Sequence, residues 1–270
     1  AADTAADPSP IRRERRDGGL LRLTLVDAKR RNALSMRLMT ALAAAIAEAA
    51  ADPEVRVVVI AAEGPAFSAG HDLKELTAAR ADADRGRAFF EETMGTCAAL
   101  MTSIVRCPKP VIAEVAGVAT AAGCQLVASC DLAIAAEGAS FATPGVHIGL
   151  FCSTPMVALS RNVSRKHAME MLLTGASVSA ADAARMGLVN RVVPADRLTE
   201  ETEAMARLIA SKSPLTLKIG KEAFYAQAEM GLDEAYRLTA QVMVENMLAR
   251  DAEEGISAFI DKRPPVWEGR

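Results

Sequence analysis

Apolar runs alternate with amphipathic stretches along most of the chain. Residues 20–27 (LLRLTLVD) alternate apolar and polar side chains, as a half-buried strand does. Three further runs are almost entirely apolar, which favours strands buried on both faces, and they span residues 55–64, 109–117 and 131–137. Helical segments separate the runs, notably around residues 84–106 and 122–129. This alternation predicts an α/β fold with mostly parallel strand pairing.

Two segments repeat one order of elements. VVVIAAEGPAFSAGHDL (57–73) and PVIAEVAGVATAAGCQL (110–126) each run from a strand through a turn to A-G-x-x-L at the start of a helix. This weak internal repeat indicates a core that is wound by repetition. No strand pattern follows Arg197, where three amphipathic helices are predicted instead, at about 197–212, 215–229 and 233–249.

These patterns divide the chain into three parts. Residues 1–11 are predicted to form a disordered tail, residues 12–196 the α/β core and residues 197–270 a helical region for oligomer contact. The formal net charge of -3 argues against a nucleic-acid partner, and no apolar run reaches the ~20 residues of a membrane span. Five cysteines without a CxxC pair and only three histidines predict no metal site, and free thiols favour the cytoplasm. No cofactor is expected either.

Two glycine-containing turns are the first candidates for chemistry. Ala69-Gly70-His71 opens one predicted helix, and Ala121-Ala122-Gly123 opens another. The first N–H groups of a helix lack intrahelical partners and lie at the positive end of its dipole. Two such ends facing each other would hold an oxyanion between backbone donors. The alternative interpretation, that both are merely tightly packed turns, stays open on spacing alone.

The motifs AFSAGHDLKEL, PVIAEVAGVATAAGCQLVASCDLAIAAEGASFATPGVHIGL and MLLTGASVSAADAARMGLVNRVVP resemble the crotonase, or enoyl-CoA hydratase/isomerase, superfamily. The resemblance runs from about residue 12 to residue 263. It implies a spiral of ββα repeats with a C-terminal helical trimerisation region, often with two trimers stacked as a hexamer. It also implies a lyase or isomerase of fatty acid metabolism, with a coenzyme A thioester as the substrate.

The resemblance also assigns roles to individual positions. The two oxyanion N–H groups would belong to His71 and Ala122. The matching acyl-CoA contact positions, of which the last two would reach a neighbouring subunit's ligand, are Lys29, Arg30, Ala66, Ser68, Ala69, His71, Asp72, Leu73, Lys74, Ala122, Phe259 and Lys262.

The chain departs from the family where acid–base chemistry is expected. The resemblance implies two glutamates, whose positions hold Gln125 and Gly145, while Ser153 stands where some members place an aspartate. Each general acid or base contributes typically ~10²–10⁴ in rate. The sequence therefore predicts weak or absent hydration of crotonyl-CoA.

Several residues could replace the missing carboxylates. His71 lies in one of the two glycine turns that are predicted to hold the oxyanion. His147 would share the face of Gly145 if both lay on a strand. Asp72 is more simply a helix cap, and Glu114 and Asp131 are expected to be structural. The other candidates near the acyl end, which would need His147 as the activating base, are Cys152, Ser153 and Thr154. Two hypotheses follow: an enzyme with an unrecognised base, or a non-catalytic acyl-CoA-binding or regulatory protein.

Overall fold

The computed structural model describes residues 8–270, so most of the predicted disordered tail (1–11) lies outside the described residues. The strands are β1 (Ile11–Arg16), β2 (Leu20–Leu25), β3 (Val57–Ala62), β4 (Ala66–Ser68), β5 (Val111–Val115), β6 (Val118–Thr120), β7 (Leu132–Ala136), β8 (Ser140–Ala142), β9 (Val178–Ser179) and β10 (Arg191–Val193). The helices are α1 (Met36–Ala51), α2 (Leu73–Ala79), α3 (Arg87–Arg106), α4 (Ala122–Ser129), α5 (Pro155–Ser160), α6 (Arg165–Thr174), α7 (Ala180–Met186), α8 (Leu198–Ala210), α9 (Pro214–Ala228), α10 (Leu232–Leu248) and α11 (Arg250–Ile260).

Two sheets are built from successive strand pairs. One sheet has the order β1-β2-β3-β5-β7-β10, and the other has the order β4-β6-β8-β9. Each unit sends its first strand to one sheet and its second strand to the other, so β3–β4, β5–β6 and β7–β8 wind forward in parallel. The internal repeat predicted from two segments is confirmed, and β7–β8 adds a third unit. This is the spiral of ββα units that the resemblance implies.

Small and β-branched residues place the central strands in a dry interior. Every residue of β5 is buried, and five of the six residues of β3 are buried. Helices α1 and α3 cover one side of the sheet, while α8 covers the other through Ala206 and Ala210. Ser35 caps α1 by accepting a hydrogen bond from the Leu38 N–H, as expected of serine at a helix start. Strands β4 and β6 follow directly after β3 and β5 in the chain, so both start from this buried layer.

A helical region follows the core, with one helix more than the pattern predicts. Helices α8, α9 and α10 match the three predicted stretches, and α11 is additional. A buried ion pair attaches α9 to the core: Lys221 Nζ lies 2.7 Å from the Asp131 carboxylate, which also accepts the Tyr225 hydroxyl at 2.7 Å. Asp131 is thus structural, as expected. Glu114 is structural too, because Arg22 binds it with two hydrogen bonds.

Within residues 8–270, no helix is long and apolar enough to cross a membrane. The same residues hold no group of three His, Cys, Asp or Glu side chains arranged for a metal ion. All five cysteines are buried free thiols.

Candidate functional site

The two glycine turns lie side by side because β4 and β6 are neighbours in the second sheet. A Cβ built on Gly70 would lie 3.3 Å from the Ala122 nitrogen, and one built on Gly123 would lie 2.2 Å from the Ser68 carbonyl oxygen. The two backbones are therefore in direct contact, and no residue larger than glycine fits at position 123 without a shift of backbone. The helices α2 and α4 begin from this contact.

The backbone amides of His71 and Ala122 are free donors at this contact. Within the described part of the chain, neither N–H donates to a backbone or side-chain acceptor. Ala121, just before the second donor, has φ 52° and ψ -121°, and its own N–H is held by the Ala142 carbonyl at 2.9 Å. A non-glycine residue in such a sparsely populated region costs about 1–3 kcal/mol, so the surrounding contacts enforce this turn.

The imidazole of His71 is mostly enclosed. Both Nδ1 and Nε2 are buried without a partner among residues 8–270, and burial lowers the pKa of His71 below its usual value. The ring is consequently neutral at pH 7, and burial opposes its taking up a proton. Asp72 caps a helix, as the sequence analysis favoured over a role as a base. Its Oδ1 accepts a hydrogen bond from the Lys74 N–H at 2.9 Å at the start of α2.

Gln125 lies in the first turn of α4 and is 4% exposed. Its Oε1 accepts a hydrogen bond from the Cys97 thiol of α3, with Sγ and Oε1 3.7 Å apart. Burial raises the pKa of Cys97 to about 11, so this thiol keeps its proton at neutral pH. No feature of the sequence pairs Cys97 with Gln125, because the two residues belong to different helices.

The position of the second missing carboxylate is crowded. Gly145 begins a 3₁₀ helix (Gly145–Ile148), and a Cβ there would lie 3.0 Å from both Cys152 Sγ and the Leu150 carbonyl oxygen. The thiol of Cys152 thus occupies part of the space that a side chain at Gly145 would need. Burial raises the pKa of Cys152, so it provides no ready thiolate at pH 7.

Gly145 and His147 do not lie on a strand, the condition under which they would share a face. The segment turns as a 3₁₀ helix, so two residues do not return to the same face. His147 is exposed, and its Nε2 lies 2.7 Å from where a Cβ on Gly175 would stand, at the end of α6. Ser153 is exposed as well, and its hydroxyl donates to the Phe151 carbonyl at 3.4 Å. The geometry leaves His71 as the better-placed of the two histidines.

Most of the proposed coenzyme A contacts meet at one edge. Lys29 and Arg30 are exposed in a 3₁₀ turn (Ala28–Arg30) after β2. This turn is tied to the β4 segment, because the Ala69 N–H donates to the Arg31 carbonyl at 3.0 Å. Asn32 Nδ2 strengthens the tie by donating to the Ala66 carbonyl at 2.8 Å. The fully buried Asn32 was missed by sequence reasoning, although asparagine is a common turn residue.

Not every contact position presents a side chain. Ala66 and Ser68 are buried, and Ser68 Oγ instead accepts the Gly70 N–H at 3.3 Å. Ala69, Leu73 and Lys74 are exposed, so they could meet a ligand directly. Phe259 is 83% exposed at the end of α11, which packs on α9 and α10. Its contact with a neighbouring subunit, and that of Lys262, stay predictions.

Comparison with known proteins agrees with this geometry. A family model described as enoyl-CoA hydratase/isomerase matches residues 15–270. Enoyl-CoA hydratase domain-containing protein 3 of Xenopus laevis is 49% identical over 259 residues, covering 96% of this chain and 86% of the relative. The motifs GVATAAGCQLVASCD and SFATPGV predict similarity to that protein, and the comparison confirms it.

Solved structures show the same fold. A crystal structure of enoyl-CoA hydratase from Mycobacterium smegmatis superposes with a TM-score of 0.92 at 49% identity, covering 97% of this chain and 99% of that one. The crystal structure of human enoyl-CoA hydratase domain-containing protein 3 gives a TM-score of 0.91 at 49% identity, with 96% and 100% covered. The predicted fold class is confirmed.

The prediction of a cytoplasmic location is wrong. The relatives from Xenopus laevis, Rattus norvegicus, Homo sapiens and Danio rerio are all named as mitochondrial proteins. Reduced cysteines alone could not make this distinction, since free buried thiols suit any reducing compartment.

Proposed function

The chain belongs to the enoyl-CoA hydratase/isomerase family, and we propose that it binds an acyl-CoA thioester and polarises its carbonyl between the amides of His71 and Ala122. The observation that carries this proposal is the pair of unpartnered N–H groups on two turns in backbone contact. Donors of this kind stabilise the negative charge that develops on a carbonyl oxygen. The exposed cations Lys29 and Arg30 lie on the same edge and suit the phosphates of coenzyme A.

The residues at the acid–base positions determine which reaction the site could catalyse. With Gln125 and Gly145 in the acid–base positions, we expect hydration of crotonyl-CoA to be slower by several orders of magnitude than with two carboxylates. The imidazole of His71 is neutral but both of its nitrogens are enclosed, so a lyase or isomerase that used it as a different base would have to open this part of the site. The alternative is a non-catalytic acyl-CoA-binding or regulatory protein, which the neutral Gln125 favours. That the protein needs no cofactor stays a prediction.

Calorimetry with butyryl-CoA and free coenzyme A tests the binding proposal. We expect butyryl-CoA to bind more tightly than coenzyme A, because only the thioester offers a carbonyl oxygen to the two amides. Equal affinities would contradict a role for the amides, and absence of binding by both would contradict the whole proposal.

A rate measurement tests the chemistry. Wild-type protein should hydrate crotonyl-CoA weakly or not at all, whereas Gln125→Glu should raise the rate by up to ~10²-fold, because it restores one general base. Gly145→Glu should add little, because its Cβ would stand 3.0 Å from the Leu150 carbonyl oxygen and from Cys152 Sγ. Rapid hydration by the wild type would show that Gln125 has been misinterpreted.

We also propose that the chain assembles with itself as a homotrimer or a hexamer. Large apolar side chains are exposed on the C-terminal helices, among them Phe224, Leu232, Tyr236, Met247, Leu248 and Phe259. Exposed apolar surface of this kind commonly marks an interface between proteins. Light scattering at micromolar concentration should give three or six times the mass of one chain, and a monomer would contradict the proposal.

A further inference from the structure

A cavity of about 280 Å³ lies at the opposite end of the central strands from the candidate site. It is lined by the residues just before β3 and β5 and by the first turn of α9. The glycine turns of the candidate site follow β4 and β6, which start from the other ends of β3 and β5. Strand β3 has six residues, so its two ends are about 20 Å apart. The cavity is therefore separate from the place proposed for the thioester.

Three cations line this cavity, whereas none of the aspartates and glutamates within residues 8–270 does. The cations are Arg56, Lys109 and Lys218. Arg56 is held in place, because its Nη2 donates to two carbonyl oxygens of the α8–α9 region, at 3.0 and 2.7 Å. Lys109 Nζ has one acceptor among the described residues, the Asp52 carbonyl at 3.1 Å, and Lys218 Nζ has none. All three side chains therefore keep N–H groups that can bind a ligand.

The positive charge around the cavity is incompletely compensated. Arg56 Nε is buried without an acceptor in the described part of the chain. Burial is the main cause of a lowered pKa at Lys109, and the charges of Arg56 and Lys218 lower it further. The Asp52 carboxylate opposes them, but its own ion pair is with Arg15. An anion placed among the three cations would relieve their mutual repulsion.

The walls between the cations are apolar. Pro108, Pro110 and Leu217 contribute to them, together with Pro214 at the start of α9. The first turn of a helix is also the positive end of its dipole, which adds to the field of the cations. The cavity is slightly smaller than most ligand pockets, so its occupant must be small. These properties suit an anion that carries a short apolar group.

We propose that this cavity binds a small phosphomonoester, with the phosphate held by Arg56, Lys109 and Lys218 and the organic group packed on the proline and leucine walls. A phosphomonoester carries a charge of about −1.5 to −2 at pH 7 and three acceptor oxygens, which matches three cationic donors. A carboxylate has one charge and two oxygens, so it matches them less well. No residue of this site is among the proposed acyl-CoA contacts, so the inference is independent of the proposed function.

Calorimetry on the full chain with phenyl phosphate and with inorganic phosphate tests the proposal. We expect phenyl phosphate to bind about tenfold more tightly, because only the ester has an apolar group for the walls. Saturating butyryl-CoA should leave its affinity unchanged. Equal affinities would replace the ester by free phosphate as the ligand, and absence of binding at millimolar concentration would overturn the site altogether. Displacement of phenyl phosphate by butyryl-CoA would overturn this inference and leave the proposed function intact.

Substitutions of exposed lysines locate the binding site without disturbing the core. Lys218→Glu should weaken phenyl phosphate binding by at least about tenfold, because it replaces attraction by repulsion, and should leave the urea midpoint unchanged. Lys218→Arg keeps the charge and should bind within about twofold of wild type. Lys166→Glu makes the same change of net charge at an exposed position of α6 that does not line the cavity, and should also bind within about twofold. Equal losses in Lys218→Glu and Lys166→Glu would show a general effect of surface charge and would overturn the proposal.

Discussion

The half of the site that acts through backbone atoms differs from the half that would act through side chains. The positions of the His71 and Ala122 amides depend only on how two turns pack. Gly123 lies so close to the Ser68 carbonyl that no larger residue fits there without a backbone shift. Gln125 and Gly145, by contrast, are single side-chain positions, and both hold neutral groups where the family implies carboxylates. A pair of backbone donors is kept when side chains change, whereas an acid–base pair is lost with one substitution at each position.

The difference teaches which property to expect of such a chain. The proposed carbonyl polarisation would be a property of the fold, since it depends on β4 and β6 being neighbours in the second sheet. Proton transfer is a property of two residues that the fold merely presents. Binding of a thioester should accordingly be robust in this protein, while its chemistry must be established by measurement at Gln125 and His71.

Breaking the backbone half should have the largest effect. In Gly123→Ala the new Cβ would stand 2.2 Å from the Ser68 oxygen, so the two turns must separate and the Ala122 N–H must move. We expect acyl-CoA binding to weaken by about 3–10-fold, the scale of one lost hydrogen bond to a neutral carbonyl oxygen. We also expect the free energy of unfolding to fall by about 3 kcal/mol from overpacking. Calorimetry and urea denaturation measure the two effects.

A matched glycine controls for the effect of substitution itself. Gly138 has open space around its Cβ position, so Gly138→Ala should change neither ligand binding nor the urea midpoint appreciably. Unaltered binding in Gly123→Ala would mean that the contact between the turns does not position the donor, and the backbone account of the site would fail.

A substitution at Ala121, the residue with strained backbone, also tests the geometry of the turns, with a smaller expected effect. Ala121 has φ 52°, so Ala121→Gly should relieve strain and raise the free energy of unfolding by about 1 kcal/mol. The Ala142 carbonyl still holds the turn, so acyl-CoA binding should stay within about twofold of wild type. A destabilised Ala121→Gly protein would show that the alanine methyl group contributes packing that outweighs the strain.

Sequence patterns predicted the central strands and helix α4 better than the strand at the edge of the sheet. The central strands and α4 were predictable because continuous apolar runs and small-residue turns mark them in the sequence. Strand β1 (IRRERR) was not predictable, because only Ile11 is buried and charged partners such as Glu63 and Glu48 hold its arginines in place. The third ββα unit escaped notice because its turn, ATPGV, lacks the A-G-x-x-L of the other two.

At the candidate site, too, contacts between residues that are distant in sequence could not be predicted. Its residue types could be assigned by motif, but the crowding at Gly145 depends on Cys152 returning over it, which no spacing rule describes. The shared face considered for Gly145 and His147 required TPGVH to be extended, whereas Pro144 and Gly149 bound a 3₁₀ helix. The Cys97–Gln125 contact joins two helices, and long-range pairings of this kind leave no mark in a single sequence.

The smallest expected effect is that of proton binding at His71 on stability. It distinguishes the role of the imidazole from that of the backbone N–H of the same residue. Burial lowers the folded-state pKa of His71 below the unfolded value of about 6.5, so the unfolded chain binds this proton first as pH falls. Stability should therefore be unaffected by His71 above pH 6.5 and should decrease below it, down to the folded pKa, by at most about 1.4 kcal/mol per pH unit. His71→Asn keeps the backbone donor and removes the titrating ring. Urea denaturation at pH 7.5 and 5.5 should show a smaller loss of stability in this variant than in wild type. Identical losses would mean that the ring is as easily protonated in the folded protein as in water, and His71 would then be no better placed than any exposed histidine to serve as the missing base.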